Sequence, residues 1–317
     1  MVRVPFERAE DKVDEPGVVA LIRALKRRAL EQERAAYVYF ISASPPQIGR
    51  AIRQKLDLDG IDADGIVFKD QLHHLVRGRF RYLREQIGYK LVELLKARLE
   101  APTHAVEFLF GDDWESDPLI YSLYADVVSG ALDRELLAEI LVRLRIDPAR
   151  LVEIRALAGR VAPEDVVRRI YINLERRTPP GRFAPFGPRL VPTFNYFQTA
   201  LVLHRDGVLA WTDVHGVGRS LLDRSGYTPT HLRNSFDDLR RRGVLPARPA
   251  AAMRRRAAET GLLPAADVGS VAERWWGRVR PRSGGIAERP AEAVGIDYER
   301  LIDAWVASGG RPGEETA

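Results

Sequence analysis

The residues best suited to chemistry lie at the ends of apolar runs. Val106–Phe110 (VEFLF) is followed by Gly111-Asp112-Asp113-Trp114-Glu115-Ser116-Asp117. Glycine lets a backbone turn sharply, and Gly-Asp-x-x-x-x-Asp places Asp112 and Asp117 on one short loop. Carboxylates crowded in this way repel one another unless a cation, a basic group or solvent offsets them. Hard oxygen ligands suit Mg²⁺, which takes one or two carboxylates and keeps several waters. Asp112 and Asp117 are therefore the candidate metal ligands. The competing reading is an acidic turn in which Asp117 only caps a helix beginning at Pro118.

A second candidate is Ser42, at the end of Tyr37–Ile41 (YVYFI). A hydroxyl there can donate to a phosphoryl oxygen, helped by free N–H groups of the next helix. Serine at such a turn is often only a cap, but Ser44, three residues before Gln47, already fits a capping box with Pro45 at the first helical position. Lys90, in Gly88-Tyr89-Lys90, supplies a compact positive charge near the start of an amphipathic helix; the alternative is a solvated helix face. Lys69-Asp70 follows a short strand and is a supporting pair. The six histidines show no metal-ligand spacing, and no phosphate-binding GxxxxGK[ST], GxGxxG or GxSxG motif occurs.

These residues need a scaffold of strands feeding helices. Apolar periodicity and capping signals predict helices over 14–30, with Asp14 as cap, and from Ile48 through Leu56. Further helices are expected over 85–99, 117–129, 132–145 and 163–169. Strands are expected at 37–41, 66–68, 106–110 and 170–174 (IYINL), the apolar ones buried on both faces. Strands alternating with helices predict an α/β fold with a doubly wound parallel sheet ending near residue 176. Residues 178–192, with five prolines, read as a linker. A mainly helical appendage follows (193–206, 230–242 and 297–307), and 309–317 read as frayed. The domain expectation is thus 1–176 and 177–317, with no internal repeat evident. The aromatic loop 183–197 (Phe183, Phe186, Phe194, Tyr196, Phe197) either covers the active edge or packs on the α/β core.

Composition bounds the classes. A chain of 317 residues, 45% hydrophobic and 29% charged, has an ordinary globular balance, which excludes collagen-like and mostly disordered readings. The absence of cysteine excludes disulfides, Cys-ligated metals and thiol nucleophiles. No apolar stretch approaches the roughly 20 residues of a transmembrane helix, and the charged start is unlike a signal peptide, so a cytoplasmic location is expected. The net charge of +5 is uneven: residues 176–317 hold 22 Arg against 15 acidic residues. Such a tail can attract anions, but no nucleic-acid-binding motif accompanies it, and only six of the basic residues are lysines, an Arg skew of the kind GC-rich coding gives.

The order of strand–Ser42, Lys90 on a helix, and strand–Gly111-Asp112-xxxx-Asp117 resembles the second, third and fourth motifs of the haloacid dehalogenase (HAD) superfamily. Residues 37–46 (YVYFISASPP) and 108–121 (FLFGDDWESDPLIY) look most like its phosphatidate-phosphatase catalytic-domain branch, over roughly residues 8–175. The resemblance implies Mg²⁺-dependent phosphoester hydrolysis through an aspartyl-phosphate, on a phosphorylated small molecule or lipid. In it Asp112 holds the metal, Asp117 supports it, Ser42 binds the phosphoryl oxygens and Lys90 offsets charge. One departure is plain. The family's first motif, a strand followed by Asp-x-Asp-x-Thr that carries the nucleophile, is missing; Asp11 and Asp14 lie three apart and adjoin a helix. In the family that strand occupies mid-sheet, between those bearing Ser42 and Asp112. The resemblance therefore predicts either a nucleophile strand upstream of Met1 or a degenerate relative whose sheet has closed up. Little or no phosphatase activity is expected of this polypeptide alone, and a non-catalytic HAD-like binding protein is the alternative.

Overall fold

In the computed structural model the described residues are 16–42, 49–68, 79–114, 116–264 and 295–307, the side chains of 79–83 and 305–307 excepted. The Asp14 cap, the Ser44–Gln47 box, Ile48, Lys69-Asp70, His73-His74 and the tail 309–317 lie outside them. The described residues divide into two compact units, one drawn from 37–194 and 295–307, the other from 16–36 and 195–264.

The first unit is α/β. Strand β1 (Tyr39–Ser42) leads through α2 (Gly49–Leu58) to β2 (Gly65–Phe68), which lies parallel to β1 with Ser42 opposite Phe68. Helix α3 (Arg79–Glu100) precedes β3 (Glu107–Asp112). Three helices follow, α4 (Asp117–Ser129), α5 (Arg134–Arg143) and α6 (Pro148–Ala158). Asp133 caps α5 by accepting from Leu136 N, and Asp147 caps α6 by accepting from Ala149 N and Arg150 N. Strand β4 (Val167–Asn173) pairs parallel with β3 on one side and with β5 (Leu190–Thr193) on the other.

The parallel α/β expectation holds, and the strands form two sheets among the described residues, β1–β2 and β3–β4–β5. Within them β1 and β3 each pair on one side only. The interior strand β4 buries most of its side chains, whereas every residue of apolar β3 is only half-buried. Ile41 of β1 packs against the same core cluster as β3 and β4.

Two expectations are corrected here. Residues 163–169 do not form a helix; β4 begins at Val167, where Glu107 of β3 supplies the register. The Pro-rich 178–192 is not simply a linker. It holds a 3₁₀ turn (Pro180–Phe186) and strand β5, whose Pro192 is tolerable because β5 is an edge strand. Phe183 and Phe186 join the main cluster, so this part of the aromatic loop packs on the core. The last described helix, α11 (Tyr298–Ala307), also belongs to this unit. Tyr298, buried, donates its hydroxyl to Asp126 at 2.6 Å, and Arg143 pairs with Glu299.

The second unit is helical: α1 (Val18–Glu31), α7 (Tyr196–Arg205), α8 (Trp211–Arg224), α9 (Pro229–Arg241) and α10 (Ala247–Glu259). Helix α1 buries Leu21 and Ala24 and packs on α8, and Arg27 pairs with the buried Asp213. Asn195 caps α7 through Gln198 N, while its amide reaches Ser235 Oγ on α9.

A repeat that the sequence did not disclose is visible in this unit. Helices α7, α9 and α10 end alike at Gly207, Gly243 and Gly261, with φ of +77, +74 and +72°. Each glycine N–H reaches the carbonyl three residues back, and the next N–H reaches five back (Val208 to Leu203, Val244 to Leu239, Leu262 to Ala257). This is the Schellman termination, where a residue other than glycine would be strained. Gly207 and Gly243 lie 36 positions apart. At that offset Leu203, Leu209, Val214, Val217 and Leu221 fall on Leu239, Leu245, Ala250, Met253 and Ala257, all buried. The α7–α8 and α9–α10 stretches thus share one spacing of buried residues about their glycine-terminated first helices. The basic excess of the chain gathers here, with 16 Lys and Arg against 8 Asp and Glu over 16–36 and 195–264. No helix among the described residues is long and apolar enough to cross a membrane.

Candidate functional site

The carboxyl end of β3 is where the chemistry-bearing residues gather. At Gly111 a Cβ would lie 2.5 Å from Asp117 Oδ2 and 2.7 Å from Tyr121 Cε2. The missing side chain therefore lets the first turn of α4 close onto the strand. Tyr121 holds the closure by donating to the carbonyl of Phe110 at 3.2 Å. Asp117, in that first turn, also benefits from the positive end of the helix dipole.

Lys90 comes to Asp117 from α3. Its Nζ donates to Asp117 Oδ1 at 2.5 Å, and both residues are buried, at 5% and 3% exposure. The solvated-face reading of Lys90 is thereby excluded: from Gln86 to Val92 every residue of α3 is buried. Charges this far from water need a partner, and here each is the other's. The second carboxylate oxygen of Asp117 accepts from the backbone N–H of Asp112 at 3.4 Å. Tyr89 is next in line, and burial pushes its hydroxyl up to about 12.

The neighbouring acids have separate duties. Asp113 is wholly buried and accepts from Arg176 N at 2.9 Å and Thr178 N at 3.2 Å, tying the end of β3 to the chain leaving β4. Asp112 is half-buried, and its Oδ1 accepts from Trp114 N at 2.8 Å. The Arg176 guanidinium lies over the Trp114 ring, 5.0 Å from its centroid, a cation–π contact that covers the corner. Repulsion among these carboxylates is thus relieved by one ammonium and by backbone donors, with no convergence of three acidic or histidine ligands among the described residues.

Of the predicted residues, Lys90 and Asp117 are joined directly and Asp112 is joined to Asp117 through its backbone. Ser42 stands at the carboxyl end of β1, on the other sheet. Two further residues of the corner escaped sequence reasoning. Asn173, which closes β4, is the register partner of Asp112. Ser116 precedes α4 without capping it. Both are buried, at 8% and 2% exposure, and Asn173 Oδ1 and Ser116 Oγ have no hydrogen-bond partner. The sequence signal for Asn173 was present: a polar residue inside IYINL, at the end of an apolar run, as Asp112 is. An orphaned amide oxygen, such as that of Asn173 at the strand end next to Asp112, is a hard-oxygen donor of the kind Mg²⁺ takes.

No protein-family model matches this chain, and no curated protein or solved structure is similar enough to match it.

Proposed function

We propose that the α/β unit is a HAD-like, doubly wound, Mg²⁺-dependent phosphoester hydrolase domain that acts on a phosphorylated small molecule or lipid and whose nucleophile motif this chain lacks. The reading is carried by the buried Lys90–Asp117 pair, hydrogen-bonded to the backbone of Asp112 at the carboxyl end of a parallel strand, where ligands of open α/β sheets bind. The resemblance in order of Ser42, Lys90, Asp112 and Asp117 adds the reaction class.

In this reading Asp112 holds the cation, which when bound would polarise a phosphoryl oxygen and orient the ester. Ser42 donates its hydroxyl to another phosphoryl oxygen. Lys90 keeps Asp117 ionised and offsets negative charge beside the phosphate. With no Asp-x-Asp-x-Thr carboxylate in this sequence to attack phosphorus, little or no turnover is expected of the chain alone.

The second reading, a non-catalytic HAD-like binding protein, is favoured by one observation: Asp113 and Asp117 are both satisfied inside the fold. A two-part experiment tests the proposal. The 317-residue chain, given p-nitrophenyl phosphate and Mg²⁺, is expected to release no more nitrophenol than its Asp112→Asn variant; clear Asp112-dependent turnover would overturn the inactivity. Inorganic phosphate with Mg²⁺ is expected to raise the unfolding midpoint of the wild type but not of the variant, because a ligand bound only to the folded state stabilises it. An equal response from both favours the second reading.

A further inference from the structure

We infer that the α/β unit binds an α-amino acid with an aliphatic side chain, in a recess at the amino ends of β3 and β4. The recess has a volume of about 260 Å³ and is open to solvent on one side. It lies between the last turn of α3, the end of α4 and the chain that runs from α6 into β4. Arg98, in its wall, bonds Glu107, the first residue of β3, so the recess stands at the opposite end of that strand from the 111–117 corner. Binding here is therefore independent of any cation at that corner.

The chemistry of the recess follows from what its charged groups already bond. Arg98 is committed to the wall: Nη1 donates to Ala105 O at 3.1 Å and to Glu107 Oε1 at 2.9 Å, and Nη2 to Pro102 O at 2.8 Å. Glu164 keeps one carboxylate oxygen, Oε1, on His104 Nδ1, and its backbone N–H is fixed on the Val128 carbonyl at 2.7 Å. His104 holds that position from a left-handed backbone at φ +63°, a conformation that costs a residue other than glycine. The Arg160 guanidinium has no hydrogen-bond or ion-pair partner among the described residues. A guanidinium and a carboxylate thus line one recess without bridging each other. A ligand carrying both a carboxylate and an ammonium answers that arrangement: its carboxylate takes the N–H fork of Arg160, and its ammonium donates to Glu164. Leu99, Val128, Val161 and Val166 give the wall an aliphatic surface, which suits an apolar side chain. An apolar cavity of about 150 Å³ holds benzene, so this recess has room for a side chain the size of leucine's together with its two charged groups.

Calorimetric titration of the 317-residue chain with L-leucine tests this. The wild type is expected to give a saturable isotherm, and glycine, which lacks the side chain, to give none. Arg160→Ala and Glu164→Gln are each expected to weaken leucine binding about tenfold or more, since each removes a charge-assisted bond. Isocaproate, which lacks the ammonium, and isopentylamine, which lacks the carboxylate, are expected to bind the wild type about tenfold or more weakly than leucine does. Arg160 is exposed, so its replacement leaves the fold in place. Circular dichroism checks Glu164→Gln; should that variant lose its fold, the isocaproate arm carries the test of the ammonium contact. No isotherm with leucine, or an unchanged leucine affinity in Arg160→Ala, overturns the proposal. Equal affinity for isocaproate and leucine also overturns it, since the recess is then a carboxylate site, and equal affinity for glycine removes the role of the aliphatic wall.

Discussion

Replacing Lys90 by alanine is expected to cost about 3–5 kcal/mol of stability in the α/β unit, the range seen when one member of a buried ion pair is removed. The variant takes the Lys90 ammonium away from the Asp117 carboxylate, which sits at 3% exposure. Asp117 then either stays charged at a large desolvation cost or takes up a proton. At about 2–4 °C per kcal/mol for a unit of this size, the unfolding midpoint falls by roughly 10 °C. Replacing both partners together, as Lys90→Met with Asp117→Leu, is expected to recover much of the loss, because no charge is then left unpaired. The double-mutant cycle read by thermal unfolding separates the pair from the residues around it. A Lys90→Ala midpoint within a degree of wild type would contradict the burial on which the site is built.

Asp113→Ala has the next largest effect. The side chain receives Arg176 N and Thr178 N in a place without water. Its removal orphans two backbone donors at about 1–3 kcal/mol each, so a loss of roughly 2–5 kcal/mol is expected. Asp113→Asn keeps one acceptor oxygen and is expected to lose about half as much. Amide hydrogen exchange gives the local signature: the Arg176 and Thr178 amides lose protection before those of β4. Equal protection in the variant would show that Asp113 does not fasten this chain segment.

Much of the corner was legible beforehand, since its logic is local. A strand ending in Gly-Asp, then Asp117 opening a helix, is written in adjacent residues, and the helix predicted over 117–129 is the one observed. The status of Lys90 was not legible, because its burial depends on α4 and α6 packing on α3, a fact no helical periodicity contains. Long-range pairing also explains the misread segments. Val166 and Val167 fit a helical stripe as well as a strand; only pairing with Glu107 decides between them. Leu190–Thr193, with Pro192 inside it, carries a loop signature, and becomes strand because β4 offers an edge. The shared helical spacing stayed hidden because only the terminating Gly207 and Gly243 and part of the buried positions recur. Leu201 and Val202 of α7 are buried, whereas Asp237 and Asp238 stand in the equivalent places on α9. Change at positions buried in one helix and half-buried in the other erases sequence likeness while the spacing of the shared buried positions persists.

The same contrast between local and distant information separates the site's two tiers. Asp112 and Asp117 were found from their spacing. Asn173, 61 residues on, comes next to Asp112 only through the parallel register of β3 and β4.

The most direct measurement of the central claim, that the 111–117 corner holds a divalent cation, is calorimetric titration of the 317-residue chain with Mg²⁺. The account predicts a saturable binding isotherm in the wild type and its disappearance in Asp112→Asn at unchanged circular dichroism. A flat titration of the wild type, or an isotherm that survives Asp112→Asn, would contradict it.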